Sequence, residues 1–248
     1  MEKDSELYKV VAEVFDKSTL MTLYHLINKG VLNELCGVVS TGKEANVFLA
    51  LDRGGNPLAL KIYRIATSDF RTMFRYLVGD PRFRSIRKDR RHVVYEWASR
   101  EYKNLLRASE AGIPAPKPIC VKNNVLAMEF LGEGNRPYPR MRDHPPENPK
   151  GTFKKLFSSV RALYQKARLV HSDLSEYNVL LTPEPVLIDF SMATDIANPM
   201  AEEWLRRDIL NLVKYFRKFN VPTPDPEELI AEIRGERGSS SETAQART

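Results

Sequence analysis

The chain has 248 residues, 42% of them hydrophobic, with 38 Lys and Arg against 32 Asp and Glu for a formal net charge of +6. That is enough for one substantial core, or for one built as two lobes; no run approaches the roughly 18 apolar residues of a membrane span, and MEKDSELYKV lacks the apolar segment of a signal peptide. The expectation is a soluble, cytoplasmic protein without membrane partners. With Cys36 and Cys120 as its 2 cysteines, a disulfide framework and a cysteine zinc site are excluded.

Two helical patterns open the chain, one with apolar residues at Leu7, Val10, Val11 and Val14, the next running from Ser18, expected as N-cap, to a stop at Gly30. From Val31 the texture changes to short apolar runs, VLNELCGVV, ANVFLAL and PLALKIY, the last two separated by a turn at Arg53, Gly54, Gly55 and Asn56. These predict three antiparallel strands. A helix through Phe70, Met73, Phe74 and Leu77 leads to the densest basic segment, where Arg82, Arg84, Arg87, Lys88, Arg90 and Arg91 stand against Asp80 and Asp89. Such a cluster is either a solvated loop or a contact for nucleic-acid phosphates.

A longer helix, from about Val93 to Ala111, ends at GIPAPKP, and two further strands follow on either side of Asn123 and Asn124. After a Gly- and Pro-rich loop the pattern is mostly helical, first around Phe153 to Tyr164, then in an amphipathic stretch from Trp204 to Phe219, with a last short helix begun by Pro226. The expected fold is α+β and bilobal: N-terminal helices over 1–30, an N-lobe over 31–132 with a flexible basic loop at about 80–93, a C-lobe over 133–234, and a disordered tail over 235–248.

The chemistry is concentrated in HSDLSEYN, 171–178, and IDF, 188–190. Phosphoryl transfer needs an aspartate to accept the hydrogen bond of the attacking hydroxyl, and an asparagine and a second aspartate to hold Mg²⁺ against the phosphates. The signature HRDLxxxN is met at every fixed position but arginine, which is Ser172, so Asp173 is the candidate proton acceptor and Asn178 a metal ligand. Asp189, expected at the end of a short strand LIDF, is the other. Lys61, in LALKIY, is the candidate for the α- and β-phosphates, and Glu101 on the following helix is preferred over Glu110 as its partner.

Gly37 to Lys43 satisfies the first seven positions of a Walker A loop, but Glu44 stands where Ser or Thr would ligate Mg²⁺, and strand-like ANVFLAL follows where a helix is required. The alternative is a strand, a phosphate-covering turn and a second strand, with Ser40, Thr41, Gly42 and Lys43 offering donors to a triphosphate.

STGKEANVF, GIPAPKPI, MEFLG, HSDLSEYNVL and IDFSMA together resemble the RIO family of atypical serine/threonine protein kinases over roughly residues 5–235. The stretch ahead of Gly37 is too short for the winged helix of one branch, and SDLSEYN looks like the type-one branch. The resemblance implies a kinase or ATPase using ATP and Mg²⁺, with Mn²⁺ as the alternative ion, that works in maturation of the small ribosomal subunit on rRNA and ribosomal proteins. It implies backbone contacts to adenine at Glu129 and Leu131, Val47 and Met128 lining that pocket, Asp189 as a transient phosphate acceptor, and Ser85 as the candidate for autophosphorylation. Ser172 in place of arginine and the lack of an APE motif imply truncated activation and substrate-docking segments. Two rivals remain open: a small-molecule kinase of the aminoglycoside or choline type, and an RNA-binding assembly factor with a nucleotide switch.

Overall fold

The computed structural model describes residues 15–66, 69–83 and 86–236. The expected first helix around Leu7 to Val14, Arg84 and Ser85 of the basic segment, and the tail from 237 onward lie outside them. The chain divides into two compact units, one of Met1–Leu77, Ser85–Tyr102 and Lys117–Pro137, the other of Val78–Arg84, Lys103–Pro116 and Tyr138–Thr248.

The first unit is built on a five-stranded antiparallel sheet of order β1-β2-β3-β5-β4, with β1 Glu34–Thr41, β2 Ala45–Leu51, β3 Pro57–Tyr63, β4 Pro118–Lys122 and β5 Val125–Glu129. The β2–β3 turn is set by Asp52, whose carboxylate accepts the N–H groups of Gly54 (2.7 Å) and Asn56 (2.8 Å), while Gly55 takes a φ of 77° that disfavours other residues. In β3 the side chains alternate between two faces. Leu58, Leu60 and Ile62 join Phe48, Ala50, Val125 and Ala127 in a core closed by Leu23, Leu26 and Leu32. Ala59 belongs instead to a second cluster with Leu49 and Phe130, so the intervening positions, Lys61 and Tyr63 among them, point to that other side.

Leu23 and Leu26 come from α1, Lys17–Asn28. Its N-cap is Asp16, where Ser18 was the expected cap. The Asp16 carboxylate accepts the N–H groups of Ser18 (2.9 Å) and Thr19 (3.2 Å) and the Thr19 hydroxyl (2.7 Å), whereas Ser18 lies inside the first turn and shares a hydrogen bond with the Tyr95 hydroxyl (2.7 Å). A carboxylate two residues upstream reaches both orphan N–H groups, so it outcompetes the hydroxyl. Two more helices, α2 Phe70–Val78 and α3 Arg90–Glu110, follow the third strand. Arg90 and Arg91 of the basic segment are the first residues of α3, started by Asp89, which accepts the N–H of His92 at 2.9 Å.

The second unit is mostly helical, with α4 Pro149–Gln165, α5 Ala201–Arg217 and α6 Pro226–Arg234. Stripes at helical spacing, Phe153, Leu156, Val160 and Leu163 on α4 and Trp204, Leu205, Ile209, Leu212 and Phe216 on α5, are buried, and Phe153 meets Phe216 edge-on at 5.5 Å. Short two-residue ladders complete the strands: β6 Gly132–Glu133 pairs with β7 Arg136–Pro137 in the first unit, and in the second β8 Leu169–Val170 pairs with β11 Thr194–Asp195 and β9 Val179–Leu180 with β10 Val186–Leu187.

Candidate active site

The side chains expected to carry the chemistry fall into two groups, one in each unit. In the first unit Lys61 is 7% exposed and Glu101, on α3, 1%. The Lys61 ammonium donates to Glu101 Oε1 at 2.9 Å, and the Tyr63 hydroxyl donates to the other carboxylate oxygen. Glu110, the rejected alternative, is the last residue of α3 and exposed.

Register places Val47 of β2 and Leu126 of β5 opposite Lys61, and Met128 opposite Ala59. Val39, Val47 and Met128 pack partly buried on Leu49, Ala59 and Phe130, which makes a half-open apolar floor on the lysine's side of the sheet. Leu131 follows β5 at intermediate exposure. Glu129, expected to offer a backbone group to adenine, already gives its N–H to the Lys117 carbonyl at 2.8 Å, so its N–H is committed.

The Walker-like stretch is a hairpin. Ser40 and Thr41 end β1, with Gly42, Lys43 and Glu44 in the turn and β2 beginning at Ala45; Thr41 pairs with Asn46 and Ser40 with Val47. A Cβ on Gly42 would come within 2.9 Å of the Ala45 carbonyl oxygen, so the turn is closed by glycine. No helix follows Lys43, which removes the P-loop reading.

In the second unit Asp173 is exposed on a loop held by α5. Asp208, on α5 and 1% exposed, accepts the N–H groups of Ser172 (2.8 Å) and Leu174 (2.9 Å). Arg207 donates to the Ser172 carbonyl, and the Asn211 amide to the Leu174 carbonyl at 3.1 Å. The peptide groups on both sides of Asp173 are thus taken by one helix, which stabilises the left-handed φ of 67° at Ser172. Burial pushes the Asp208 carboxyl up to about 7, with a smaller push from Asp173, against the two N–H bonds and the Arg207 guanidinium, which pull it down.

Asn178 donates its amide to the Asp173 backbone carbonyl (2.8 Å) and to Asp173 Oδ2 (2.9 Å), and its backbone carbonyl accepts the Ile188 N–H at 3.0 Å across the end of the β9–β10 ladder. That ladder is what brings Asp189 to Asn178. The expected strand LIDF is shorter than its sequence implies: β10 stops at Leu187, and Asp189 sits beyond it at φ 61°, its Oδ1 accepting from the Ser191 hydroxyl at 2.7 Å. A left-handed residue cannot continue a strand. With its amide nitrogen spent on Asp173, Asn178 keeps a side-chain oxygen, and that carboxamide and the Asp189 carboxylate are the hard oxygen donors that could hold Mg²⁺. Among the described residues there is no group of three or more His, Cys, Asp or Glu side chains that could hold a metal ion.

The residues after Asp189 are fixed by Asn104, buried on α3, whose amide donates to the carbonyls of Phe190 (2.9 Å) and Ala193 (2.7 Å) while its oxygen accepts from Arg82 (2.8 Å). Arg82 is paired with buried Asp80 at 2.6 Å. Asp208, Asn104 and Tyr63 were not singled out from the sequence. For Asp208 a signal existed: it occupies a core-facing position of the α5 stripe, between Trp204 and Leu212. Ser85 lies outside the described residues, and no described helix is long and apolar enough to cross a membrane.

The family model described as RIO domain matches residues 46–229. The RIO-type serine/threonine-protein kinase Rio1 of Haloferax volcanii is 42% identical over 97% of this chain and 82% of that protein, and the protein of the same name from Methanocaldococcus jannaschii 44% identical over 86% and 73%. The human serine/threonine-protein kinase RIO1 is 34% identical, and 43% of its length is covered. Among solved structures, the Rio2 kinase of Chaetomium thermophilum in its ADP/Mg²⁺-phosphoaspartate complex superposes with a TM-score of 0.64 at 20% identity, over 84% of this chain and 64% of that one. That likeness gives the fold, an α+β protein-kinase fold.

Proposed function

Because the chain belongs to the RIO domain family, among the Rio1 protein kinases, we propose that it transfers the γ-phosphoryl group of ATP to serine or threonine hydroxyls, with Asp173 as proton acceptor. The observation that carries this is the anchoring of Asp173: one helix side chain holds the peptide N–H groups on both sides of it, leaving an exposed carboxylate in fixed position. Asp173 accepts the hydrogen bond of the attacking hydroxyl and Asn178, bonded to the same carboxylate, orients it. Asn178 and Asp189 are the residues that would hold Mg²⁺, which supplies charge neutralisation at the phosphates. Lys61, steadied by Glu101, holds the α- and β-phosphates, Ser40 to Lys43 cover the triphosphate, and Val47, Met128, Glu129 and Leu131 hold the adenine.

The same site supports an ATPase cycle, in which an Asp189 carboxylate oxygen attacks the γ-phosphorus, ADP leaves, and water then releases inorganic phosphate. The phosphoaspartate in the Chaetomium Rio2 complex makes that chemistry credible in this fold. Autophosphorylation at Ser85, and work on precursors of the small ribosomal subunit through the exposed Arg87, Lys88, Arg90 and Arg91, complete the reading; both follow from the family resemblance and the basic segment.

The test is γ-³²P transfer to protein, to small alcohols and to water, for the wild type and Asp173→Ala. Loss of transfer to protein in Asp173→Ala is expected; transfer unaffected by that change would remove the assignment, and preference for a small alcohol would favour the small-molecule kinase. Hydroxylamine-sensitive phosphate that disappears in Asp189→Asn is the expected signature of the ATPase branch.

A further inference from the structure

We propose that Tyr63 is a positioning residue for the Lys61–Glu101 pair: its hydroxyl fixes the carboxylate that in turn fixes the phosphate-binding ammonium. The proposal rests on the reading of Lys61 and Glu101 given above and adds a third member to it.

Tyr63 touches both partners. It stands two positions after Lys61 in β3, hence on the same face of the sheet, and the Lys61 ammonium lies 5.3 Å from the centre of its ring. Its hydroxyl takes one oxygen of Glu101 while Lys61 takes the other. A lysine is a point donor on a flexible stem, and a single contact of that kind does not set the plane of a carboxylate. A second donor on the opposite oxygen fixes the plane of the carboxylate, and all three groups are at most 7% exposed, so water does not substitute for the hydroxyl.

Tyr63 is itself held from the N-terminal helix. Asn124, fully buried, accepts the Tyr63 N–H through its backbone carbonyl (2.9 Å) and donates its amide to the Tyr63 carbonyl (2.9 Å) and to the Thr19 hydroxyl on α1 (2.8 Å). Asn123 donates to Thr22 on the same helix at 2.9 Å. Ser18 of α1 shares a hydrogen bond with Tyr95 of α3, the helix that carries Glu101. One short helix therefore braces the strand and the helix from which the ion pair is made. The plainer reading is that Glu101 only satisfies a buried phenol. The two differ in whether the effect of Tyr63 passes through Glu101.

The experiment is a double-mutant cycle on kcat/KM for ATP with Tyr63→Phe, Glu101→Gln and both together, alongside thermal midpoints. Tyr63→Phe is expected to lower kcat/KM about 10-fold in the wild type, the worth of one hydrogen bond to a charged group, and less than 2-fold when Glu101 is already Gln. An equal loss in both backgrounds, or no loss in the wild type, overturns the proposal while leaving Lys61 and Glu101 as read. A Glu101→Gln variant as active as the wild type overturns the pair itself and Tyr63 with it. Should Tyr63→Phe not fold, Thr19→Val, which removes the acceptor of the Asn124 amide together with the hydroxyl bond to Asp16, is carried through the same cycle with the same outcomes.

Discussion

Asp208 takes the N–H of Leu174 at 2.9 Å with one carboxylate oxygen and that of Ser172 at 2.8 Å with the other, so Asp173 is suspended between two anchored peptide groups. The ionised form is the better acceptor for two donors, yet burial raises the Asp208 carboxyl from 3.8 to about 7. The folded chain therefore binds this proton more tightly than the unfolded chain. Its contribution to stability is complete below about pH 4 and is lost as pH rises through about 7. Across that interval kcat should rise with pH while the urea midpoint falls. In Asp208→Asn both slopes should flatten and kcat should drop by about 10-fold or more, because one of the two N–H groups then faces an amide donor. Urea melts and pH–rate profiles of the two proteins check it.

Lys61→Ala should cost more than activity. It leaves Glu101, 1% exposed, without its ammonium, and breaking a buried pair from one side costs about 3–5 kcal/mol. Lys61→Met and Glu101→Leu combined with Tyr63→Phe, which removes the hydroxyl that donates to Glu101, should recover most of that stability while phosphoryl transfer stays absent. Chemical denaturation and the transfer assay separate the two effects.

Removing a metal ligand should appear in the metal dependence. Asn178→Ala is expected to raise the Mg²⁺ concentration for half-maximal activity about 10-fold or more and to lower kcat as well, since the same amide orients Asp173. Asp189→Asn should show no activity at any Mg²⁺ concentration. A titration of transfer rate against Mg²⁺ is the measurement.

Asn104→Ala should destabilise by about 2–3 kcal/mol, because the Phe190 and Ala193 carbonyls lose a buried donor. Its Mg²⁺ requirement should rise with the loosening of the residues after Asp189, whereas Asn104→Asp should lose only the donor side and keep the acceptor for Arg82.

Replacing Arg87, Lys88, Arg90 and Arg91 by Ala should weaken binding to precursor ribosomal particles or structured RNA, and lower the slope of log affinity against log salt by about 1 for each residue that met a phosphate. An unchanged slope returns the segment to a solvated surface.

What could be read in advance follows the distance over which each feature is encoded. HSDLSEYN carries proton acceptor and metal ligand within one loop, so spacing alone brings Asp173 and Asn178 together, as the 2.9 Å contact shows. The strands declared themselves as short apolar runs, the second and third divided by the turn at Arg53 to Asn56. Lys61 and Glu101 were paired from the sequence because phosphoryl transfer calls for a strand lysine fixed by a helical glutamate, and Glu110 stands at the very end of that helix. Asp208 and Tyr63 escaped: an aspartate in an apolar stripe and a tyrosine in a strand look like a tolerated oddity and a core residue until the partners, Ser172 and Glu101, are seen. Ser18 was mistaken for the cap because hydroxyl and carboxylate stand so close in the chain that only geometry ranks them.

The alternation in β3 ties assembly to catalysis. Leu58, Leu60 and Ile62 build the core from one side of a strand whose other side presents Lys61, so the two sets share a single reading frame. One residue gained or lost between Asp52 and Asn56 would exchange them, driving a charge into the leucines and stranding the leucines where the lysine belongs. A frame-shifted strand would therefore be rejected as a fold before it could be tested as an enzyme.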